Sequence, residues 1–160
     1  MDHIWSPWRM DYIENHSSDG SCIFCELQAM PDGPENLIAY RGRLAYVILN
    51  RYPYTSGHLM VVPFEHKPNL EGLDSATRAE MMELTTRCMT VLRKVYKPQA
   101  FNMGANIGEA AGAGVKEHVH IHIVPRWKGD TNFMSTTGNT RVLPEALEDT
   151  YHRMKEGFEK

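Results

Sequence analysis

Apolar and polar positions alternate strictly between residues 118 and 123, which predicts a β-strand. Every second residue there is a histidine, and the residues between them are branched and apolar. Side chains two positions apart on a strand point to the same face, with Cα atoms roughly 6.7 Å apart. We therefore expect the apolar residues to pack on a core and the histidines to face a cleft or the solvent. The histidines are His118, His120 and His122, and the strand is predicted over residues 119–126.

A long helix is predicted after Asp74, a plausible N-cap, because apolar residues then recur at spacings of three and four until Pro98 ends the pattern. The apolar stripe consists of Met81, Leu84, Cys88, Val91 and Val95. Further strands are predicted over residues 37–40, 44–49, 58–63 and 101–107, and a short C-terminal helix over 146–154. Strands that mostly follow one another, with helices kept apart from them, predict an α+β fold with an antiparallel sheet covered by the long helix.

The length of 160 residues indicates a single domain over residues 1–160. Hydrophobic residues make up 42% of the chain, which is enough for a substantial core. We divide the domain into an N-terminal aromatic and polar extension (1–20), a core (21–128) and a C-terminal tail with its helix (129–160). In the extension, Trp5, Trp8 and Tyr12 are expected to pack on the body of the protein or on a second subunit.

The charge balance and the cysteine count narrow the class of protein. A net charge of −3 argues against a protein that coats nucleic acid, since such proteins usually carry a basic excess. No apolar run approaches the length of a membrane span, and no signal-peptide pattern opens the chain. Three cysteines do not form a disulfide framework. We expect a cytoplasmic protein with neither a nucleic acid nor a membrane as its partner.

The residues before the histidine strand favour an anion site. The loop over residues 108–114 is built of glycine, alanine and one glutamate, so its backbone N–H groups can approach a phosphate closely, and Asn106 can add an amide donor. The loop carries neither the P-loop pattern nor the dinucleotide-binding glycine pattern. From the residues alone, two other interpretations of the three histidines stay open: a plain metal site, or polar residues tolerated on a strand.

A second candidate site begins with Cys22 and Cys25, which form a C-x-x-C pair. In a reducing compartment such a pair suggests metal binding or redox chemistry, although a pair of ordinary buried cysteines is also possible. The βαβ setting of a thioredoxin-like motif is not evident. A closed structural zinc site needs four ligands, so two more would have to come from elsewhere in the chain.

Several stretches together resemble the histidine triad family of nucleotide hydrolases and transferases. HVHIHIV at residues 118–124 matches the family's signature of histidines alternating with apolar residues. LAYVILNRYPYTSGHLMVVP is similar to the family's ribose-binding segment, and SCIFCEL to the zinc-binding start of many members. IWSPWRMDYI, together with VPRW, is similar to the bacterial branch that includes diadenosine tetraphosphate phosphorylases. The fold implied is an antiparallel meander with one long helix and a short C-terminal helix.

The resemblance implies that His118, His120 and His122 are the catalytic residues, and it implies a role for the binding positions. His120 would be the nucleophile that forms a nucleotidyl-histidine at the α-phosphate, and His122 would donate to a phosphate oxygen. The phosphate-binding positions implied are Asn106, Ala113, Gly114 and Val115. Related members often carry a serine or threonine near Gly114, and this chain has no hydroxyl there. Asn50 matches the ribose-binding position, and from spacing alone it could equally be a turn residue before Pro53.

For the metal, the resemblance implies a structural zinc ion bound by Cys22, Cys25, His66 and His118, with His58 as the rival to His66. It also implies a homodimer that acts on a purine nucleotide or dinucleoside polyphosphate, and nothing in the residues calls for magnesium. We expect an enzyme that cleaves an adenosine polyphosphate or an AMP conjugate. The two alternatives are a zinc-stabilised nucleotide-binding module with little turnover and a metal-dependent hydrolase that uses the histidines as ligands.

Overall fold

A computed structural model describes residues 21–130 and 143–160, and in this part of the chain five strands form one antiparallel sheet accompanied by three α-helices. The strands are β1 (Ile38–Arg41), β2 (Ala45–Leu49), β3 (Leu59–Pro63), β4 (Ala100–Gly104) and β5 (Ile121–Arg126). The helices are α1 (Ile23–Ala29), α2 (Ser75–Val95) and α3 (Leu147–Glu159). The predicted α+β class is confirmed. The expected packing of Trp5, Trp8 and Tyr12, and the extension over residues 1–20, lie outside the described residues.

The strand order places the histidine strand inside the sheet. The order is β1-β2-β3-β5-β4, and every neighbouring pair is antiparallel. It departs from a simple meander in one respect: helix α2 carries the chain past the position beside β3 to the edge strand β4, and β5 then returns to fill the gap. As a result, His122 lies opposite Met60 on one side and Gly104 on the other.

Helix α2 forms as its sequence pattern predicts. Asp74 is its N-cap, and the Asp74 carboxylate accepts a hydrogen bond of 2.7 Å from the backbone N–H of Thr77. Met81, Leu84, Cys88 and Val91 of the predicted apolar stripe are buried. The helix packs against the sheet on this stripe, and it ends at Val95, before Pro98. Burial of one face against the sheet accounts for most of its stability.

Three element boundaries differ from the predictions by two residues or more. Val119 was expected to be the first residue of the histidine strand, β5. Its N–H instead donates to the carbonyl of Lys67 at 2.7 Å, outside the sheet, so β5 begins at Ile121. Strand β4 ends at Gly104 because its pairing with β5 stops there. Helix α3 runs beyond the predicted end to Glu159, because Phe158 is buried in the core.

Helix α1 was not expected from the pattern of the chain. It has seven residues, and its N-cap, Cys22, makes no capping hydrogen bond with its side chain. An isolated helix of this length is not stable in water. Its existence therefore depends on contacts with the rest of the protein, and these contacts lie at the functional site. No helix among residues 21–130 and 143–160 is long and apolar enough to cross a membrane.

Candidate functional site

An open cleft with a cavity volume of about 120 Å³ lies between helix α1, the loop before β5 and the ends of the central strands. Five of the residues predicted for the site line it: Asn50, Gly114, Val115, His120 and His122. Asn106 and Ala113 are not among the described residues that line the cleft, so their part in binding a phosphate stays a prediction. A cleft with apolar walls and a few converging polar groups is typical of small-molecule sites.

The inner walls of the cleft are apolar and come from two directions. Helix α1 contributes one wall, and the start of β1 together with β2 and β3 contributes the other. The wall residues are Ile23, Phe24, Leu27, Leu37, Ile48, Leu49 and Met60. Leu37 adopts a φ of 61°, which is uncommon for a residue other than glycine, and strained backbone conformations of this kind cluster at active sites and ligand-binding sites. These walls can enclose a flat apolar group such as a nucleobase.

His120 is buried with one ring nitrogen already engaged. Its Nδ1 lies 2.8 Å from the carbonyl oxygen of His118, and a carbonyl can only accept a hydrogen bond. In a neutral ring the proton therefore lies on Nδ1, and Nε2 keeps its lone pair. A nitrogen of this kind is a nucleophile at neutral pH without a separate base to remove a proton.

His122 is oriented by His58, a residue to which the sequence had assigned no role in this cleft. The backbone N–H of Tyr54 donates to His58 Nδ1 at 3.2 Å, so Nδ1 is an acceptor and the proton of the neutral ring lies on Nε2. His58 Nε2 lies 3.0 Å from His122 Nδ1 and donates to it. The His122 proton consequently lies on Nε2, where it can be donated to a ligand.

The hydrogen bonds from Tyr54 to His58 and from His58 to His122 form a relay, and the turn between β2 and β3 supports it. Asn50 accepts a hydrogen bond of 2.9 Å from the backbone N–H of Tyr52, so it is a turn residue as well as a residue of the cleft. The Tyr54 ring stacks on the His122 ring with 6.3 Å between centroids and 19° between planes. These contacts fix the ring of His122 beside the ring of His120, at a centroid distance of 4.8 Å.

His118 faces a different group of residues from the other two histidines. Cys22, Cys25, His66 and His118 each offer one ligand atom, and these atoms all lie within 4.8 Å of one another. His66, rather than His58, is therefore the second histidine beside the cysteines. The three histidines that alternate in sequence thus serve two sites, with His118 in the cysteine cluster and His120 and His122 in the cleft.

The geometry of the cluster fits a tetrahedral metal ion. Cys22 Sγ is 3.3 Å from His118 Nδ1, Cys25 Sγ is 3.3 Å from His66 Nδ1, and Cys25 Sγ is 3.7 Å from His118 Nδ1. Sulfur and nitrogen ligands on a tetrahedral zinc ion are separated by ~3.6 Å, given the usual bond lengths. His118 Nε2 donates to the carbonyl of Pro63 at 2.9 Å, which leaves Nδ1 to face the cluster.

The ionisation of the cluster also suits a cation. Burial lowers the pKa of His118 to about 4, so its ring is neutral at neutral pH, which is the form that binds metals. Burial and then the neighbouring Cys22 raise the pKa of Cys25 to about 11. A bound cation would stabilise the thiolate of Cys25 and so lower the pKa that burial and Cys22 raise. The donor set therefore has the composition and spacing of a structural site for zinc.

Comparisons with known proteins agree with this arrangement. The HIT domain family model matches residues 33–129. The chain is 40% identical over 158 residues to an AP-4-A phosphorylase from Mycobacterium tuberculosis, a match that covers 94% of this chain and 80% of that protein. It is 33% identical over 93 residues to a bis(5'-nucleosyl)-tetraphosphatase from Schizosaccharomyces pombe, covering 58% of this chain and 50% of the relative.

Among solved structures, the fold is similar to that of a zinc-bound histidine triad family protein from Mycobacterium smegmatis. The TM-score is 0.69 at 27% identity, and the match covers 87% of this chain and 94% of that chain. The family model spans more than half of the chain, including the cleft histidines and His118 of the cysteine cluster. The chain belongs to the HIT domain family.

Proposed function

We propose that the chain cleaves an adenosine polyphosphate or an AMP conjugate at its α-phosphate, through a covalent bond between that phosphorus and His120. The chain is an enzyme of the HIT domain family that acts on nucleotides. The names of two relatives, an AP-4-A phosphorylase and a bis(5'-nucleosyl)-tetraphosphatase, support a dinucleoside polyphosphate as the substrate. The observation that carries the mechanism is the 2.8 Å contact between His120 Nδ1 and the His118 carbonyl, because it leaves the other ring nitrogen as a nucleophile.

The reaction takes two displacements at phosphorus. In the first, the lone pair of His120 Nε2 forms a bond to the α-phosphorus, and the bond to the leaving phosphate oxygen breaks with its electrons on that oxygen. In the second, an oxygen of water or of inorganic phosphate attacks the same phosphorus, and the N–P bond breaks with its electrons returned to Nε2. Dividing one difficult displacement in this way is covalent catalysis.

The other residues of the cleft bind the substrate and stabilise its charge. His122 Nε2–H donates to a phosphate oxygen, since its Nδ1 already accepts from His58. The backbone N–H groups around Gly114 and Val115, at the mouth of the cleft, meet the charge that develops on the phosphate. The apolar walls enclose the base, and the amide of Asn50 binds the ribose hydroxyls. The reaction is hydrolysis when water attacks the nucleotidyl-histidine, and it is phosphorolysis when inorganic phosphate attacks it.

Zinc completes the proposal for the cysteine cluster. Cys22, Cys25, His66 and His118 would hold it, and when bound it supplies a structural cross-link between helix α1 and the segment that carries His120. The residues themselves do the positioning: the carbonyl of His118 orients His120, while its ring faces the cluster. The metal site therefore supports the nucleophile without taking part in the displacement.

The edge of the sheet supports a homodimer. Among the described strands, β4 pairs with β5 alone, so its outer backbone groups face away from the sheet. The side chain of Met103 on this strand is 49% exposed, so apolar surface lies beside the unpaired edge. Pairing of two β4 strands across a two-fold axis would cover both the edge and Met103.

One experiment tests the reaction and identifies its acceptor. The purified protein is incubated with diadenosine tetraphosphate, with and without inorganic phosphate, and the products are separated by chromatography. AMP and ATP indicate hydrolysis, whereas ADP and ATP that form only with added phosphate indicate phosphorolysis. His120→Ala is expected to abolish turnover and still bind AMP, and His152→Ala, which removes an exposed histidine on α3, serves as the matched control. No consumption of any AMP-containing substrate by the native protein would contradict the proposal.

A further inference from the structure

Helix α1 forms one wall of the nucleotide cleft. Its C-terminal end is held by two side chains, one from strand β1 and one from the segment just before it. Asn36 Nδ2 lies 3.4 Å from the carbonyl oxygen of Met30 and 3.5 Å from that of Leu27. Arg41, from strand β1, reaches the same end. The last carbonyl groups of a helix have no partner within the helix, so such contacts determine where the helix ends.

Arg41 makes three contacts that use different nitrogens of its guanidinium. Nη1 donates to the Gln28 carbonyl at 2.9 Å, Nη2 donates to the Met30 carbonyl at 3.2 Å, and Nε donates to the Asp32 carboxylate at 2.8 Å. Burial alone would raise the pKa of the Asp32 carboxyl, but the Arg41 guanidinium holds that pKa below its ordinary value. The planar fork of arginine holds donors on three separate nitrogens in a fixed geometry, whereas the ammonium group of lysine has its donors on one nitrogen.

Arg41 and Asn36 together form a clamp on the C-terminal end of α1. Asn36 also acts on the opposite wall of the cleft. Asn36 is fully buried, and its Oδ1 accepts from the backbone N–H of Gly33 at 3.2 Å and from that of Ile38 at 3.1 Å. These two bonds enclose Leu37, whose φ of 61° directs its side chain to the cleft. Asn36 and Arg41 share Met30 and Asp32 as acceptors, so the two walls are fixed by one connected group of hydrogen bonds.

Helix α1 depends on contacts with the rest of the protein along its length, and the Tyr46 hydroxyl of β2 donates to the Phe24 carbonyl at 3.1 Å. Its inner residues Ile23, Phe24 and Leu27 line the cleft, and a helix of seven residues cannot hold its position by itself. At the N-terminal end it is fixed by the cluster that contains Cys22 and Cys25. At the C-terminal end it is fixed by the clamp, and within the clamp only Arg41 bridges strand β1 to the helix carbonyls.

We propose that Arg41 is a positioning residue that sets the width of the nucleotide cleft, and thereby the affinity for the nucleotide, through helix α1. The inference rests on the proposed function, because it takes the apolar cleft to be the nucleoside site. Arg41 does not line the cleft, so it acts through the helix and contacts no reacting atom. Its loss frees the C-terminal end of α1, which widens the cleft there and weakens nucleotide binding. Phe24, near the N-terminal end, is held by the hydrogen bond from the Tyr46 hydroxyl to its carbonyl, so its ring keeps its contact with His120 at a centroid distance of 5.0 Å.

The test compares Arg41→Gln and Arg41→Lys with Arg43→Gln. Arg43 lies two residues further along the chain, its side chain is 81% exposed, and its nearest carboxylate is 3.9 Å away, so it is a matched control. The Kd for AMP is measured by calorimetry, the zinc content by elemental analysis, and kcat and KM with diadenosine tetraphosphate. Arg41→Gln is expected to raise Kd and KM roughly tenfold and to leave kcat and zinc content unchanged. Arg41→Lys, with one donor group, is expected to raise Kd roughly threefold.

The readouts separate positioning from general destabilisation. A variant that is only partly folded loses apparent kcat in proportion, whereas the Kd of its folded molecules stays the same. Equal AMP affinity of Arg41→Gln and Arg43→Gln, or a loss of kcat without a change in Kd, would overturn the inference. Should Arg41→Gln fail to fold, Arg41→Lys decides in the same way. If the native protein itself binds no AMP, the proposed function fails as well, and that result differs from native binding with unaffected variants.

Discussion

His58 offers the sharpest prediction, because its effect on catalysis depends on a single ring nitrogen. In His58→Phe the ring volume is retained, but His122 Nδ1 loses the donor that lies 3.0 Å away. His58 is 1% exposed, so water has little room to replace that donor. An unsatisfied buried group costs about 1–3 kcal/mol, and release of the His122 tautomer adds to this. We expect kcat to fall by about 100-fold, which corresponds to about 2.7 kcal/mol of transition-state stabilisation.

The assay is the steady-state hydrolysis or phosphorolysis of diadenosine tetraphosphate, with the AMP dissociation constant measured in parallel. His58→Gln restores an N–H group that can reach His122, and it is expected to recover about tenfold of the lost kcat. The AMP affinity of both variants should stay close to that of the native protein, because His58 does not line the cleft. If His58→Phe keeps kcat within about threefold of native, or His58→Gln recovers nothing, the assignment of the relay is wrong.

Two further predictions concern the metal cluster and the sheet edge. Cys25→Ser removes a proposed zinc ligand whose Sγ lies 3.3 Å from His66 Nδ1. Bound zinc should fall from one ion per chain to a small fraction, and the thermal midpoint should drop clearly. An unchanged zinc content would contradict the proposed zinc site. Met103→Lys should convert the proposed dimer to a monomer in light scattering, because it places a charge on the exposed edge strand. Met82→Lys, at a residue of α2 that is 48% exposed, is the control, and a dimer that survives Met103→Lys would exclude pairing through β4.

The sequence predicts the fold well where periodicity and local capping act together. The apolar stripe and the Asp74 cap of α2 need only neighbouring residues, and the structure has both. The same applies to the alternation in β5. Helix α3 continues past its predicted end at residue 154 and through Gly157, a residue that commonly ends a helix. Here a Cβ at this position would lie 2.7 Å from Val91 Cγ1, so glycine is required for the two helices to pack closely.

The site could be predicted from the sequence only in part, because residues far apart in the chain come together there. The cysteine cluster brings together Cys22, Cys25, His66 and His118, which are far apart in the sequence, and only the resemblance to a family connects them. The role of His58 depends on the register of β3 against β5, in which Met60 lies opposite His122. Alternation along β3 puts His58 on the same face as Met60, but which strand lies beside it is a long-range property. Helix α1 carries no capping signal, because its ends are held by residues distant in the chain.

The central claim is that Nε2 of His120 becomes bonded to the α-phosphorus during turnover. Rapid mixing with diadenosine tetraphosphate, quenching at alkaline pH where the N–P bond survives, and peptide mass spectrometry measure this directly. We predict an adenylyl group on residue 120 that forms within one turnover and disappears when water or phosphate completes the reaction. The absence of any adduct on this residue during active turnover, together with an unchanged kcat in His120→Ala, would contradict it.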